Sequence, residues 1–245
     1  MIIDWHSHDI YTEQAEEFFS NIAQQYVGYP NIIYEIFNEP ENRSWEEIKE
    51  YSERVIRAIR RYDDSNLIIL GTPNWSQSVD IAADDPIYGY DNIVYALHFY
   101  SGTHREELRA KAQYAIERQL PLFVSECSPS MANGDGKLDT GEFRKWSRLL
   151  SENDISVVLW GIYDKGESSA MLKYGSAADG KWSAVDLTEM GIFAKRYLSE
   201  GKGSVNAVTI VGILFLLVIL CVVLKAVYRS YPFMRKDMQK RAGLG

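Results

Sequence analysis

Two glutamates each close an apolar, strand-like run. Glu39 ends Ile32-Ile33-Tyr34-Glu35-Ile36-Phe37-Asn38-Glu39, and Glu126 ends Leu122-Phe123-Val124-Ser125-Glu126. A strand that delivers a carboxylate at its C-terminal end suits the mouth of a βα-barrel, where such enzymes keep their chemistry. A pair of such carboxylates is the equipment of a glycosidase, which needs one acid and one nucleophile or base across the scissile bond. Pro40 cannot continue a strand ladder, so it forces a turn and fixes Glu39 at the rim. Asn38, one residue earlier, can bind a sugar hydroxyl beside that bond.

The elements that must position these groups read as a parallel α/β protein. Short β-branched runs cover 2–5, 32–37, 67–70, 93–97, 122–125 and 156–160, and helical stretches cover about 12–27, 44–62, 105–118, 141–152 and 187–199. Strands alternating with amphipathic helices point to βα units. Residues 71–92 are less regular and read as a long loop with one short helix. Six βα units result, where a closed barrel has eight. The Ile2 and Val158 strands should therefore be open edges, which need a cover.

Of 245 residues, 46% are apolar and 24% charged, so most of the chain should fold around a core. Residues 1–204 carry a net charge of −13, and residues 205–245 one of +5. The acidic part argues against a nucleic-acid partner, since phosphate binding wants a basic face. The stretch VNAVTIVGILFLLVILCVVL, residues 205–224, holds no charge and is long enough for a membrane-spanning helix. Lys225, Arg229, Arg235, Lys236, Lys240 and Arg241 follow it. The positive-inside rule makes that tail cytoplasmic and the larger part extracellular. The expected domains are a barrel over 1–200, a linker at 201–204, a membrane helix at 205–227 and a basic tail at 228–245. Asn42-Arg43-Ser44 and Asn74-Trp75-Ser76 are sequons that an outside location permits. Cys221 lies in the apolar run, so it should not pair with Cys127. No export signal precedes Ile2, so the chain is expected to be an N-terminally incomplete piece or a tail-anchored protein facing the cytosol.

Five motifs in order resemble glycoside hydrolase family 5, in particular its bacterial-type endo-β-1,4-glucanases, or cellulases. They are Ile2-Ile3-Asp4-Trp5-His6, Tyr34-Glu35-Ile36-Phe37-Asn38-Glu39-Pro40, Ala96-Leu97-His98-Phe99-Tyr100, Phe123-Val124-Ser125-Glu126 and Leu159-Trp160. Gly71 to Gln77 and Lys165 to Ala170 strengthen the likeness, which runs to about residue 198. It implies a (β/α)8 TIM barrel lacking its first two βα units, no cofactor or metal, and a β-glucan as the bound partner. It also implies roles. Glu39 matches the general acid/base and Glu126 the nucleophile. Asn38 matches the residue on the sugar 2-hydroxyl, and His98 and Tyr100 the pair that orients the carboxylates, with Tyr100 near the nucleophile. His6 matches a substrate-contacting histidine, Trp160 a stacking platform on the last strand, and Trp75 a second platform. Flat indole faces suit the apolar faces of glucose rings.

The chain departs from the family at points that bear on activity. An arginine that hydrogen-bonds the nucleophile belongs to the missing strands, and no residue here takes its place. Cys127 stands where tryptophan is usual, which should change the cleft floor. A catalytically impaired, membrane-anchored β-glucan-binding protein is thus the rival reading. A metal-dependent hydrolase using His6 and His8 is a third, since two histidines at i, i+2 can bind zinc. Asn133 to Glu142 mimics an EF-hand loop, but Met131 at its first position cannot ligate calcium, so it reads as a lead into a helix. Trp5 and Trp146 read as core.

Overall fold

The computed structural model describes residues 1–200. All six expected strands form: β1 (Ile2–Asp4), β2 (Ile33–Glu35), β3 (Ile68–Leu70), β4 (Ile93–Tyr100), β5 (Leu122–Ser128) and β6 (Val157–Leu159). They pair in parallel in the order β1-β2-β3-β4-β5-β6, so β1 and β6 are the edges, as the sequence implied. The sheet is curled. His6, just beyond β1, and Trp160, just beyond β6, stack at 5.7 Å although their strands lie at opposite edges.

The helices form where periodicity placed them. In α1 (Thr12–Gln25), Ala15, Phe19 and Ala23 recur every four residues and bury one face. α2 (Trp45–Arg60) starts at a capping box between Ser44 and Glu47, and its last turn carries Arg57 and Arg60, which suit the helix dipole. The stretch expected as a loop with one short helix holds a single turn, α3 (Pro73–Ser76), and α4 (Val79–Asp84). Asn74, Trp75 and Ser76 of that turn have φ between 54° and 59°, in the left-handed region, so no helical periodicity could announce it. α5 (Glu106–Glu117), α6 (Thr140–Glu152) and α7 (Glu189–Glu200) complete the set. Trp146 is fully buried and stacks on Phe99 at 4.2 Å, a core residue, whereas Trp5 is half-buried and packs on Phe18 at 5.4 Å.

The chain divides into Met1–Ala194, which holds the six described strands, and Lys195–Gly245, of which only the end of α7 is described. The expected membrane helix at 205–227 and the basic tail lie outside the described residues. Among those described, no helix is long and apolar enough to cross a membrane.

Two local irregularities matter for the site. Against β4, the step from Phe123 to Glu126 spans three residues where Ala96 to His98 spans two. Against β6, Val124 to Cys127 likewise opposes Val157 to Leu159. β5 thus carries one extra residue, a β-bulge of the kind that re-aims side chains near active sites. The second is Gly71, at the end of β3. A Cβ there would collide with the Phe37 carbonyl oxygen and meet Pro40 at 3.0 Å. The turn bearing Asn38 and Glu39 is therefore packed directly on a backbone that tolerates no side chain. Gly71→Ala should cost about 1–3 kcal/mol through overpacking, read as a lower urea midpoint at unchanged slope.

Candidate active site

Each functional side chain arrives at the same end of the sheet for a local reason. Beyond β2, the Asn38 amide donates to the Trp5 carbonyl at 3.2 Å and the Glu39 amide to the Ser7 carbonyl at 3.2 Å. On the other side, the Trp75 amide donates to the Pro40 carbonyl at 2.9 Å and Ser76 Oγ to the Asn38 carbonyl at 2.8 Å. The Asn38-Glu39-Pro40 turn is thus held between the end of β1 and the left-handed turn of α3. On β4, His98 and Tyr100 are two residues apart and share a face. On β5, alternation alone would put neighbouring Ser125 and Glu126 on opposite faces. The bulge brings both to the same group of side chains.

The groups meet closely. Donor atoms of Glu39, His98 and Glu126 all lie within 4.8 Å of one another. Tyr100 donates its hydroxyl to Glu126 Oε1 at 2.5 Å. His98 Nδ1 is 3.0 Å from Glu39 Oε1, and His98 Nε2 is 2.9 Å from Ser125 Oγ. Ser125 Oγ in turn donates to Glu35 Oε1. Glu39 Oε2 lies 3.8 Å from Nδ1 of His8, whose ring is half exposed.

Burial sets the electrostatics. Desolvation raises the pKa of Glu126; His98 and the Tyr100 hydrogen bond pull it back without cancelling the rise. Burial alone would lower the pKa of His98, but the nearby carboxylates of Glu35 and Glu39 and the charge of Glu126 outweigh it and push it up to about 10. His6 is raised chiefly by its hydrogen bond to Asp4 at 2.7 Å, against a lowering by burial. Asp4 is itself raised by burial, and its Oδ1 is buried without a hydrogen-bond partner. Among the described residues no arginine pairs with Glu126, as the missing strands implied.

The structure brings together Glu39, Glu126, His98 and Tyr100, with Tyr100 on Glu126 and His98 on Glu39. Asn38 is buried beside them at 3% exposure. His6 stacks on Trp160, which is 36% exposed and also lies against Tyr163 at 6.0 Å. Trp75 is exposed at the α3 turn, joined to the site through its backbone. One expectation needs correction. Cys127 does not form the cleft floor: it is fully buried, and its thiol faces the Val158 carbonyl at 3.4 Å, in the β5–β6 junction. The sequence reading also passed over Glu35, Ser125 and Ser76. The signal for Glu35 was present, as the one acidic residue inside an otherwise apolar strand.

Neither metal reading gains a site. Among the described residues, the only group of three donors close enough to share an ion is Glu39, His98 and Glu126, without His6 or His8. In the EF-hand-like loop, Asp135 accepts from Ser168, Asp139 caps α6 through the Glu142 amide, and Glu142 pairs with Arg109 and Lys145.

Comparison with known proteins agrees with this geometry. Residues 1–166 match the sequence profile of the family described as cellulase, glycosyl hydrolase family 5. This chain belongs to glycosyl hydrolase family 5. It is 45% identical over 203 residues to an endoglucanase of Clostridium saccharobutylicum, covering 80% of this chain and 45% of that one. To endoglucanase A of Evansella cellulosilytica it is 42% identical over 208 residues, covering 82% of this chain and 42% of the relative. The catalytic domain of a Thermobifida fusca endoglucanase superposes with a TM-score of 0.77 at 34% identity, covering 81% of this chain and 68% of that structure. The chain spans less than half the length of these two curated relatives. Six strands of a family 5 barrel are therefore what the described residues supply.

The Ser76 contact is a direct test of how the glutamate turn is held. Ser76→Ala leaves the Asn38 carbonyl without that donor in a buried place, so it should cost about 1–3 kcal/mol. Denaturant unfolding reads the loss.

Proposed function

We propose that this protein cleaves β-1,4-glucosidic bonds in cellulose or a related β-glucan as a retaining endoglucanase, with Glu126 as nucleophile and Glu39 as general acid/base. The observation that carries the reading is the separation of the two carboxylates. Oxygen atoms of Glu39 and Glu126 come within 4.8 Å. Retaining enzymes hold their carboxyls roughly 5–5.5 Å apart, whereas inverting enzymes leave room for a water. Glu126 attacks the anomeric carbon while Glu39 gives its proton to the leaving glycosidic oxygen. Glu39 then takes a proton from water, whose oxygen displaces Glu126 from the sugar. Tyr100 holds one oxygen of Glu126 and leaves the other for attack. Asn38 is assigned to the sugar 2-hydroxyl, His6, Trp160 and Trp75 to sugar contacts, and His98 to orienting Glu39. The Thermobifida fusca relative has been solved in complex with cellotetraose, which supports a β-glucan ligand.

The apolar run over 205–227 is assigned to a single membrane-spanning helix, with the catalytic part outside and the basic tail in the cytoplasm. Its support is the uncharged span and the positive tail. Protease added to intact cells should then remove residues 1–200; full protection contradicts the orientation.

A second reading, a β-glucan-binding protein without turnover, draws on the raised pKa of Glu126 and the absence of an arginine beside it. Release of reducing ends from carboxymethylcellulose by this chain, abolished in Glu126→Gln, separates the two. Binding of cello-oligosaccharide without release favours the second. Glu39→Gln should lower turnover by about 10²–10⁴-fold, the usual contribution of a general acid/base.

Ionised Glu126 is the attacking form. Its raised pKa therefore puts the acid limb of kcat/KM at higher pH than an ordinary carboxylate would give. The Tyr100 hydrogen bond favours the ionised form, so Tyr100→Phe should move that limb to still higher pH. A pH–rate profile of both proteins checks the sign.

A further inference from the structure

Glu35 has no part in the mechanism above, yet it is 4% exposed and lies behind the catalytic pair. A buried carboxylate is costly unless it is paired or protonated. Among the described residues no lysine or arginine pairs with it. Its neighbours are Ser125 Oγ, which donates to Oε1, and His98 Nε2, which is 3.5 Å from the same oxygen. That distance is too long for a strong direct hydrogen bond. Ser125 Oγ stands between them, 2.9 Å from Nε2.

With Glu35 ionised, and Glu39 in the ionised form it takes after giving up its proton, the bonding has one consistent proton arrangement. Ser125 has a single proton, and it goes to Glu35. Its oxygen must then accept from His98 Nε2, which requires a proton on that nitrogen. His98 Nδ1 faces Glu39 Oε1 at 3.0 Å, and an ionised carboxylate accepts only, so that nitrogen needs a proton as well. A ring with both protons is a cation. The ionisable groups around it are Asp4 from β1, Glu35 from β2, Glu39 just beyond β2, Tyr100 from β4 and Glu126 from β5, with half-exposed His6 on Asp4 at 2.7 Å and half-exposed His8 at 3.8 Å from Glu39. His98 is the one fully buried basic group of that set.

We propose that Glu35, acting through Ser125, is a positioning residue that holds His98 as a doubly protonated ring, and that this ring supplies the positive charge beside Glu126. The consequence for catalysis rests on the glycosidase reading; the protonation of His98 does not. The bulge in β5 is what makes the relay geometrically possible, because it places Ser125 next to His98 while Glu126 reaches Tyr100. In this chain the histidine then favours the ionised nucleophile.

The test is nitrogen NMR on full-length chain labelled at histidine, kept in solution with mild detergent. The chain has four histidines, and His98→Gln identifies the signal of interest by its loss. In the wild type both ring nitrogens of His98 should stay protonated from pH 6 to about 9, in line with the direction of its shift. Glu35→Gln removes the charge and should lower the His98 midpoint by about one to three pH units, the size expected from losing a close opposite charge. Glu35→Asp should restore part of it. Ser125→Ala breaks the bridge while leaving Glu35, and should lower the midpoint less than Glu35→Gln; it also serves if Glu35→Gln does not fold. If the chain releases reducing sugar, the acid limb of kcat/KM should rise in Glu35→Gln as Glu126 loses its cation, with KM little changed. A neutral His98 in the wild type at pH 7, or a midpoint unmoved by both substitutions, overturns the proposal. Absence of hydrolysis with the expected NMR titration would instead count against the glycosidase reading and leave the relay standing.

Discussion

The site depends on placing several carboxylates in a space with little water and few cations. Glu35 and Glu126 are buried, Glu39 is nearly so, and their donor atoms converge on one histidine. Like charges at such distances repel strongly where water is excluded, so the arrangement can persist only with a compensating proton or cation. His98 fills that place. Its two ring nitrogens point to different strands, so it couples β2 to β5 across β4. The orientation of Glu39 and the electrostatic setting of Glu126 both run through that one side chain, which the bulged β5 meets through Ser125.

Much of this was legible in the sequence because the elements are local. Each strand is a short β-branched run, each long helix has a clear apolar face, and the two glutamates stand at strand ends. The family resemblance named His98 and Tyr100 as the pair that orients the carboxylates; in the structure Tyr100 lies on Glu126 and His98 on Glu39. The parts that were not legible depend on tertiary placement. The β5 bulge leaves no mark in composition; it appears only when β4 and β6 fix the register on both sides. The left-handed turn at Asn74 to Ser76 has no periodic signature either, although it grips the Asn38-Glu39-Pro40 turn. Cys127 was misread for the same reason. The bulge turns its thiol into the β5–β6 junction.

The described sheet is open on both sides. In a closed barrel each edge is paired, whereas β1 and β6 here end the sheet. The stack of His6 on Trp160 brings the tips of those edges together at the mouth, where sugar contacts are assigned. Asp4 Oδ1 and Trp5 Nε1, both at the β1 edge, are buried without partners, as are Ser52 Oγ on α2 and Asp80 Oδ1 on α4. Glu39, just beyond β2, and Glu126, on β5, each stand one strand in from an edge, with side-chain contacts from His98 and Tyr100 on β4 and from His8 beyond β1.

The central claim is that Glu39 and Glu126 act as a retaining pair. Proton NMR of cellotetraose hydrolysis, followed from the first minutes before mutarotation, tests it most directly. The account predicts that the β-anomer of the new reducing end appears first. Initial appearance of the α-anomer, or no product at any enzyme concentration, would contradict it.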